Sequence, residues 1–534
     1  MAAVTWLSVG AVVAAIWRVD HTFTYPLDDP YIHLALARNL LDHGTFGVVP
    51  GHYASASSSP LWTLLLAAAM VVVRSHRDLL PLGLNLVLGT VLCWQLAALF
   101  APVERGGWRR WLWVALLLVC AVGVASLVVT GMEHVLQCIL VLAAIRIFER
   151  VLHDRARRDL LKLGVCLAAA TLVRFETVFL GAMMVAVVLW PLPRPGQAVG
   201  AKGRRALTAE ERATLAGTVV AGVGLAFFTF AFVNRSYGGF ALPNSVVEKS
   251  LLGPRPIDAL RQASTWSGIG HRAASDGTVL AMLAAAVVIA TTRQRLSVPR
   301  AIAWTVIGVI VLQVVFAADG NLYVTWARYT AYLVLLGAVI TVRAVLHLTA
   351  APKPSTRILT ATLVVLLVVT AAGRTLVLWR TPAAGHDVYR QQYQMARFLG
   401  RYYDGRAVVA NDIGEIAFRH RGGLVDLGGL GTTAVLRAQR NGTFDARFVG
   451  SLARSAGAPV AVAFAPIFRP VIPASWVPVG EWCVDTSPGT VLGNPCVTWY
   501  ATSSAEAGPL RARLAAFRGS LPEGVHVQPA TATP

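Results

Sequence analysis

The stretch LWTLLLAAAMVVV, residues 61 to 73, is almost wholly apolar, yet it supplies only about two-thirds of the roughly 20 residues that a spanning helix needs. Whether it crosses a bilayer sets the side of every loop that follows. If it stays in the interface, the basic stretches Arg105 to Arg110, Arg146 to Lys162, Arg194 to Arg212, Arg293 to Arg300 and Arg343 to Arg357 all fall on one side. If it crosses, they split between both sides, against the tendency of Lys and Arg to collect in cytoplasmic loops. We therefore read it as interfacial.

The rest of the chain supports a membrane protein. Its 534 residues are 56% hydrophobic and 14% charged, with a mean hydropathy of +0.60, against roughly 25% charged in soluble domains. Apolar runs lie near 2–17, 80–101, 111–130, 134–148, 163–173, 177–190, 214–233, 277–292, 301–317, 328–348 and 357–379. The first lacks a basic lead and a cleavage site, so it reads as a membrane helix and not a removed signal. Arg174-Phe175-Glu176 interrupts what would otherwise be one helix from Leu163 to Trp190. A charged pair at that depth needs a water-filled or protein-lined cavity, so we expect two short helices meeting there. The expectation is a polytopic α-helical protein with about eleven crossings, N-terminus inside and C-terminus outside. The formal charge of +20 sits in inter-helix stretches and gives no support to nucleic-acid binding.

This topology predicts a membrane domain over residues 1–380, with a first outer loop over 18–79, and an extracytoplasmic domain over 381–534. The latter mixes helical patterns (386–403, 444–456, 505–518) with short β-rich runs (407–410, 459–465, 496–500), which predicts a compact α/β unit. Cys483 and Cys496 flank a Pro/Gly-rich turn and suit a disulfide in an oxidising compartment.

The polar residues needing explanation fall in the outer segments. The first loop opens with LDDPYIHLALARNLLDHGTFG, residues 27 to 47, whose adjacent Asp28 and Asp29 can act as a general base or bind a divalent cation. The plain alternative is that Asp29 caps the helix that starts at Pro30 and displays His33. The turn TGMEH, residues 130 to 134, leaves Glu133 and His134 between apolar helices, as ligand-facing groups or as a cap. Arg174 and Glu176 could pair with each other, but neighbours at that offset do not share a helical face, so each is expected to find a partner elsewhere. LPNSVVEKS, residues 242 to 250, offers Asn244 and Lys249, or is a solvated loop. Arg328 and Tyr329 open a later helix, with a snorkelling Arg as the alternative. In the tail, VVANDIGEIAFRHRGGLVDLGGLG, residues 408 to 431, reads as strand, turn, short helix, strand and glycine turn; Asp412, Glu415 and Asp426 either reach the site or serve their turns. P-loop, HExxH, CxxC and GxSxG motifs are missing from the sequence, which removes support for nucleotide-driven transport and zinc hydrolysis.

The ordered set (DD, GME, Arg-x-Glu, LPNS, ARY, then NDIGEIAF and VDLGGL) resembles the GT-C superfamily of membrane glycosyltransferases, and within it the terminal arabinofuranosyltransferases of mycobacterial-type cell walls. DDP and GME stand where those enzymes often read DDA and GLE, which leaves sugar and acceptor open. The resemblance implies an outer-leaflet cavity that receives a polyprenyl-phosphate sugar and an envelope glycan or glycolipid acceptor, with transfer by inversion. It places the base on Asp28 or Asp29. Lys249, Arg174 and Arg328 would hold phosphate, while Glu133, Glu176, His33 and Asn244 orient sugar or base and Tyr329 adds a hydroxyl. Two other readings are a lipid-linked sugar flippase, which would carry inverted halves, and a non-catalytic glycan scaffold. Convergence of these residues in one cavity would favour the enzyme.

Overall fold

The computed structural model describes residues 1–104, 107–154, 157–190, 207–249, 276–294, 296–316, 327–350, 352–487 and 490–530. Each of the eleven apolar runs is helical: α1 (Ala2–Asp20), α4 (Leu80–Glu104), α5 (Trp108–Val122) with the short α6 (Val124–Val129), α7 (His134–Asp154), α8 (Arg157–Val173), α9 (Thr177–Leu189), α10 (Ala209–Ser236), and the helices Gly277–Thr291, Arg300–Phe316, Ala331–Ala350 and Arg357–Val388. Among the described residues, five helices are long and apolar enough to cross a membrane; several others are shorter apolar helices of 10–17 residues. This is a multi-pass membrane protein.

The short apolar stretch 61–73 starts and ends on the same side of the helical bundle. It forms α3 (Pro60–Val72), and both of its flanks stay at one end of the bundle. Before it, Ser57 bonds His33 at 3.0 Å. After it, the carbonyl of Asp78 accepts from the Tyr25 hydroxyl at 2.8 Å, and the Asp78 carboxylate lies 3.9 Å from Arg419 of the tail. At the other end the basic stretches meet: Arg343 pairs with Glu149, its Nη2 donates to the Ser297 carbonyl at 3.1 Å, and Arg150 lies 3.4 Å from Asp159. Loops that contact one another share an end, so the basic stretches 146–162, 293–300 and 343–357 collect opposite the polar site.

The tail is an α/β unit around one six-stranded mixed sheet, with strand order β2-β1-β3-β5-β4-β6. The strands are β1 (Val408–Ala410), β2 (Leu424–Asp426), β3 (Val460–Ala463), β4 (Val477–Val484), β5 (Cys496–Ala501) and β6 (Val525–Gln528). β1 lies parallel between β2 and β3, while β5 and β4 extend the sheet antiparallel. Alternate residues of a strand face opposite sides. Val408 and Ala410 pack with Phe398, Leu510 and Phe517, whereas Val409 packs on the other face with Val449 and Ala453. A sheet covered on both faces explains the apolar run at β1. Cys483 and Cys496 are opposite one another on β4 and β5 and form a disulfide.

Two elements join the tail to the bundle. Helix Arg357–Val388 continues through a π-helical turn at Tyr389–Tyr393 into Gln394–Tyr402, so residue 380 lies inside one uninterrupted helix. The second element is α2 (Asp29–His43), buried on nearly every side of its first half. Tyr31, Leu34 and Ala37 pack into the bundle core, and Ile32, Ala35 and Leu36 into the tail core. A helix buried on opposite faces belongs between two packed bodies.

Candidate functional site

The N-terminus of α2, the turn before α7, the break between α8 and α9, and the lead-in to helix Ala331–Ala350 meet at one point. The Arg174 guanidinium is buried there. Its Nη1 donates to Glu133 Oε1 at 2.9 Å and to Ser58 Oγ at 2.9 Å, and its Nε to Glu176 Oε2 at 3.0 Å. Arg174 and Glu176 thus do pair with each other, contrary to the expectation from helical spacing. The reason is local: the helix stops at Val173 and resumes at Thr177, so the intervening residues are not bound by helical geometry. Glu133 is fully buried and its second oxygen faces His33 Nε2 at 3.6 Å. It turns to side chains and is no interfacial cap.

The Tyr329 ring stands between two guanidinium groups, with Arg174 and Arg328 each 4.9 Å from its centroid. His134 lies 5.8 Å from the same ring. Arg328 is buried, at 3% exposure, so snorkelling does not describe it; its Nη2 pairs with Asp29 and with the Tyr329 hydroxyl. Its Nε and Nη1, and both ring nitrogens of His134, have no hydrogen-bond partner among the described residues. Buried polar atoms are nearly always satisfied, and here four unpaired nitrogens gather around the one Tyr329 ring.

Two buried charges escaped the sequence reading. Asp276 caps helix Gly277–Thr291 through the amides of Thr278 and Val279, and lies 3.5 Å from Arg374. Arg374 donates to Thr330 Oγ1 at 2.8 Å and to the Ala327 carbonyl. Ala327 has φ +52°, a left-handed conformation that costs an L-residue about 1–2 kcal/mol. This network holds the strained residue directly before Arg328. A charge inside the apolar run 357–379 was the available signal.

The adjacent aspartates diverge. Asp28 occupies the N-cap position of α2 but makes no capping bond to it. Instead its Oδ2 accepts from the Gly414 amide at 2.5 Å and its Oδ1 from the Glu415 amide at 2.8 Å. It is also hydrogen-bonded to Asp412, which accepts from Gln392 Nε2 at 2.6 Å. Burial and the neighbouring carboxylate push Asp28 well above the usual carboxylate range, and burial raises Asp412 too. Asp29 points to Arg328 and remains 30% exposed. Neither aspartate caps α2.

The remaining candidates lie around this centre. Asn244 is buried: its amide donates to the Leu430 carbonyl and to Thr433 Oγ1, both at 3.0 Å, and its backbone amide to the Ser55 carbonyl at 2.9 Å. It ties α11 (Asn244–Lys249) between the first loop and the tail, outside the arginine cluster. The Lys249 side chain lies outside the described residues. Glu415 pairs with Arg419 at 2.6 Å. Asp426 accepts the amides of Gly428 and Gly431 in its own glycine turn, and burial still pushes it up to about 6. Among the described residues, the one triad with metal-ligand spacing is Glu481, Cys483 and Cys496, and both its thiols are used by the disulfide.

The architecture has a solved counterpart. ArnT from Cupriavidus metallidurans, crystallised with undecaprenyl phosphate, matches 94% of this chain and 98% of its own with a TM-score of 0.50, at 13% sequence identity. The chain has the GT-C fold. Apo ArnT gives a TM-score of 0.46 at 13% identity, over 95% of this chain and 100% of its own. Arabinofuranosyltransferase AftD from Mycobacteria gives 0.46 at 14% identity, over 94% of this chain; the matched region is 42% of that longer protein. A domain of unknown function (DUF8728) matches residues 384–500, within the tail. No curated protein sequence matches.

Proposed function

We propose that the protein is a glycosyltransferase that moves a sugar, arabinofuranose by its motifs, from a polyprenyl-phosphate donor to an envelope glycan or glycolipid, with inversion. Residues 1–380 would form the membrane domain, with the site and residues 381–534 on the extracytoplasmic side. The observation behind this reading is that, among the described residues, two Arg328 nitrogens and both His134 ring nitrogens lack a hydrogen-bond partner beside a partly exposed carboxylate, Asp29. ArnT was crystallised with undecaprenyl phosphate in the same fold, which agrees with a lipid-phosphate guest.

The chemistry follows from what each group can do. Asp29 takes the proton of the acceptor hydroxyl as its oxygen attacks the anomeric carbon, and the lipid phosphate leaves with the bonding electrons. Arg328 directs the N–H groups it has left at that phosphate, where negative charge grows. Arg174 is engaged by Glu133, Glu176 and Ser58, so its part is to hold the two carboxylates, whose remaining acceptor sites suit sugar hydroxyls. Asp28, engaged by two amides and Asp412, is the less accessible base. A divalent cation at the acid pair would compete with Arg328 for Asp29, so transfer is expected to survive EDTA.

The test is transfer from radiolabelled polyprenyl-phosphate arabinofuranose, then mannose, by the purified protein. Asp29→Asn is expected to lower kcat about 100-fold or more while undecaprenyl phosphate still binds. Full activity in that variant would move the base elsewhere, and absence of transfer from every donor in the wild type would reject the reading.

A further inference from the structure

Asp28 is the first member of an acid pair in the first loop, yet its carboxylate serves a different part of the chain. Both oxygens accept backbone amides of a tail segment nearly 400 positions away, with hydrogen bonds at 2.5 Å and 2.8 Å. The fit continues through the backbone. A Cβ at Gly414 would collide with the Asp28 carbonyl and carboxylate, so glycine is needed for the approach and not for its φ. Behind Asp28, Asp412 is fixed by Gln392 from the π-helical turn. Further along, Arg38 of α2 donates to the carbonyls of Ala417 and Phe418, the first at 3.0 Å. Those carbonyls end helix Gly414–Arg419, so α2 and this helix grip each other at both ends.

We propose that the tail turn Asp412–Glu415 is a positioning clamp for the site: by holding Asp28 it fixes the peptide that carries Asp29. This rests on the glycosyltransferase reading above and gives the tail, including its matched segment 384–500, a part in the reaction. The mechanical link is short. Asp29 follows Asp28 directly, and Pro30 next to it has its φ locked by the ring. The Tyr31 amide donates back to the Asp28 carbonyl at 3.1 Å, closing the first turn. With Asp28 held on one side and the α2 turn on the other, Asp29 has little freedom left besides its own side chain, which Arg328 receives. Misplacing a reacting group by about 1 Å can cost on the order of 100-fold in rate.

The experiment uses the full-length purified protein and compares Gly414→Ala, Asp412→Ala and Asp412→Asn. The methyl of Gly414→Ala meets Asp28, while the ordinary φ at 414 lets the tail itself keep its fold. Expected are falls in kcat of about 10- to 100-fold for Gly414→Ala and Asp412→Ala, with the donor KM within about threefold and the melting temperature of the tail retained. Asp412→Asn, whose amide can still donate to Asp28, should recover most of kcat. Hydrogen exchange supplies a readout independent of transfer: the amides of Gly414 and Glu415 should be protected in the wild type and exchange faster in Gly414→Ala and Asp412→Ala. If those amides lose protection but no variant changes kcat, the clamp has no positioning role and the proposal falls. If the wild type transfers no sugar at all, the glycosyltransferase reading fails, and the exchange data alone decide whether the clamp exists.

Discussion

Two arginines on one helix and its lead-in make opposite use of the same side chain. Arg343, within helix Ala331–Ala350, meets Glu149 through two parallel N–H···O bonds of 2.8 Å and also donates to the Ser297 carbonyl. Every part of it facing the protein is used, and it sits half-buried among the basic stretches. Arg328, just before the helix, is nearly fully buried, has Asp29 as its one described carboxylate partner, and keeps two donors without a partner among the described residues. A satisfied, half-exposed pair is scaffolding. An arginine buried with donors to spare is costly, because desolvating such groups costs about 1–3 kcal/mol each, and the proposed reading lets a lipid phosphate complete it.

The same substitution at both positions should separate these roles. Arg328→Lys keeps the charge but loses the planar fork, and is expected to lower kcat/KM by about 100- to 1,000-fold with undecaprenyl-phosphate binding weakened. Arg343→Lys should leave transfer within about twofold and shift only stability, by about 1 kcal/mol or less. Measuring both variants on one donor breaks the comparison if Arg343→Lys loses as much activity as Arg328→Lys.

Their carboxylate neighbours offer a second contrast, read by thermal unfolding. Glu133→Gln removes a charge from the partners of Arg174, whose side chain is 5% exposed, and a broken buried ion pair costs about 3–5 kcal/mol. Glu176 and Ser58 remain on that guanidinium, so the lower end is expected. Glu149→Gln, in a pair 16–21% exposed, should cost about 1 kcal/mol or less. Equal losses would mean that the site arginine is no more dependent on its partners than the structural one.

Much of this was legible in order along the chain. Hydropathy located the eleven helical runs, positive charge kept α3 at one end, and the cost of Arg174 and Glu176 at depth broke the helix where it breaks. The short β-rich runs and the Cys483–Cys496 pair came from local pattern as well. What stayed hidden was pairing across long separations. Nothing in periodicity tells that Asp28 caps a helix in the tail, that Asn244 braces the tail and stays out of the arginine cluster, or that Arg374 reaches Ala327. Each of these depends on which loops share an end and how closely backbones approach there, and Gly414 shows its purpose only beside Asp28. Arg174 does find a partner elsewhere, in Glu133, but it also pairs with Glu176, because a rule for helices does not bind residues that lie between two of them.

The smallest effect concerns the acid pair and contrasts it with the charge-paired sites above. Burial and the Asp412 carboxylate raise Asp28, with Glu415 adding repulsion; burial also raises Asp412, and Asp29 contributes. A carboxyl whose value in the folded chain is raised stabilises the fold fully below its unfolded value, near 4, and that stabilisation is lost as pH rises through the folded value. The pair should therefore weaken with increasing pH. The contribution of this pair to the melting temperature, read as the wild-type slope minus that of Asp412→Asn, is expected to decline as pH rises above the unfolded carboxyl value. Asp412→Asn, whose amide bonds Asp28 without titrating, should flatten the slope in part, since Asp426, raised to about 6, contributes a decline of the same sign. An Asp412→Asn slope as steep as that of the wild type would mean that Asp28 and Asp412 do not share a proton, and would leave the two amide bonds as the whole of the contact between Asp28 and the tail.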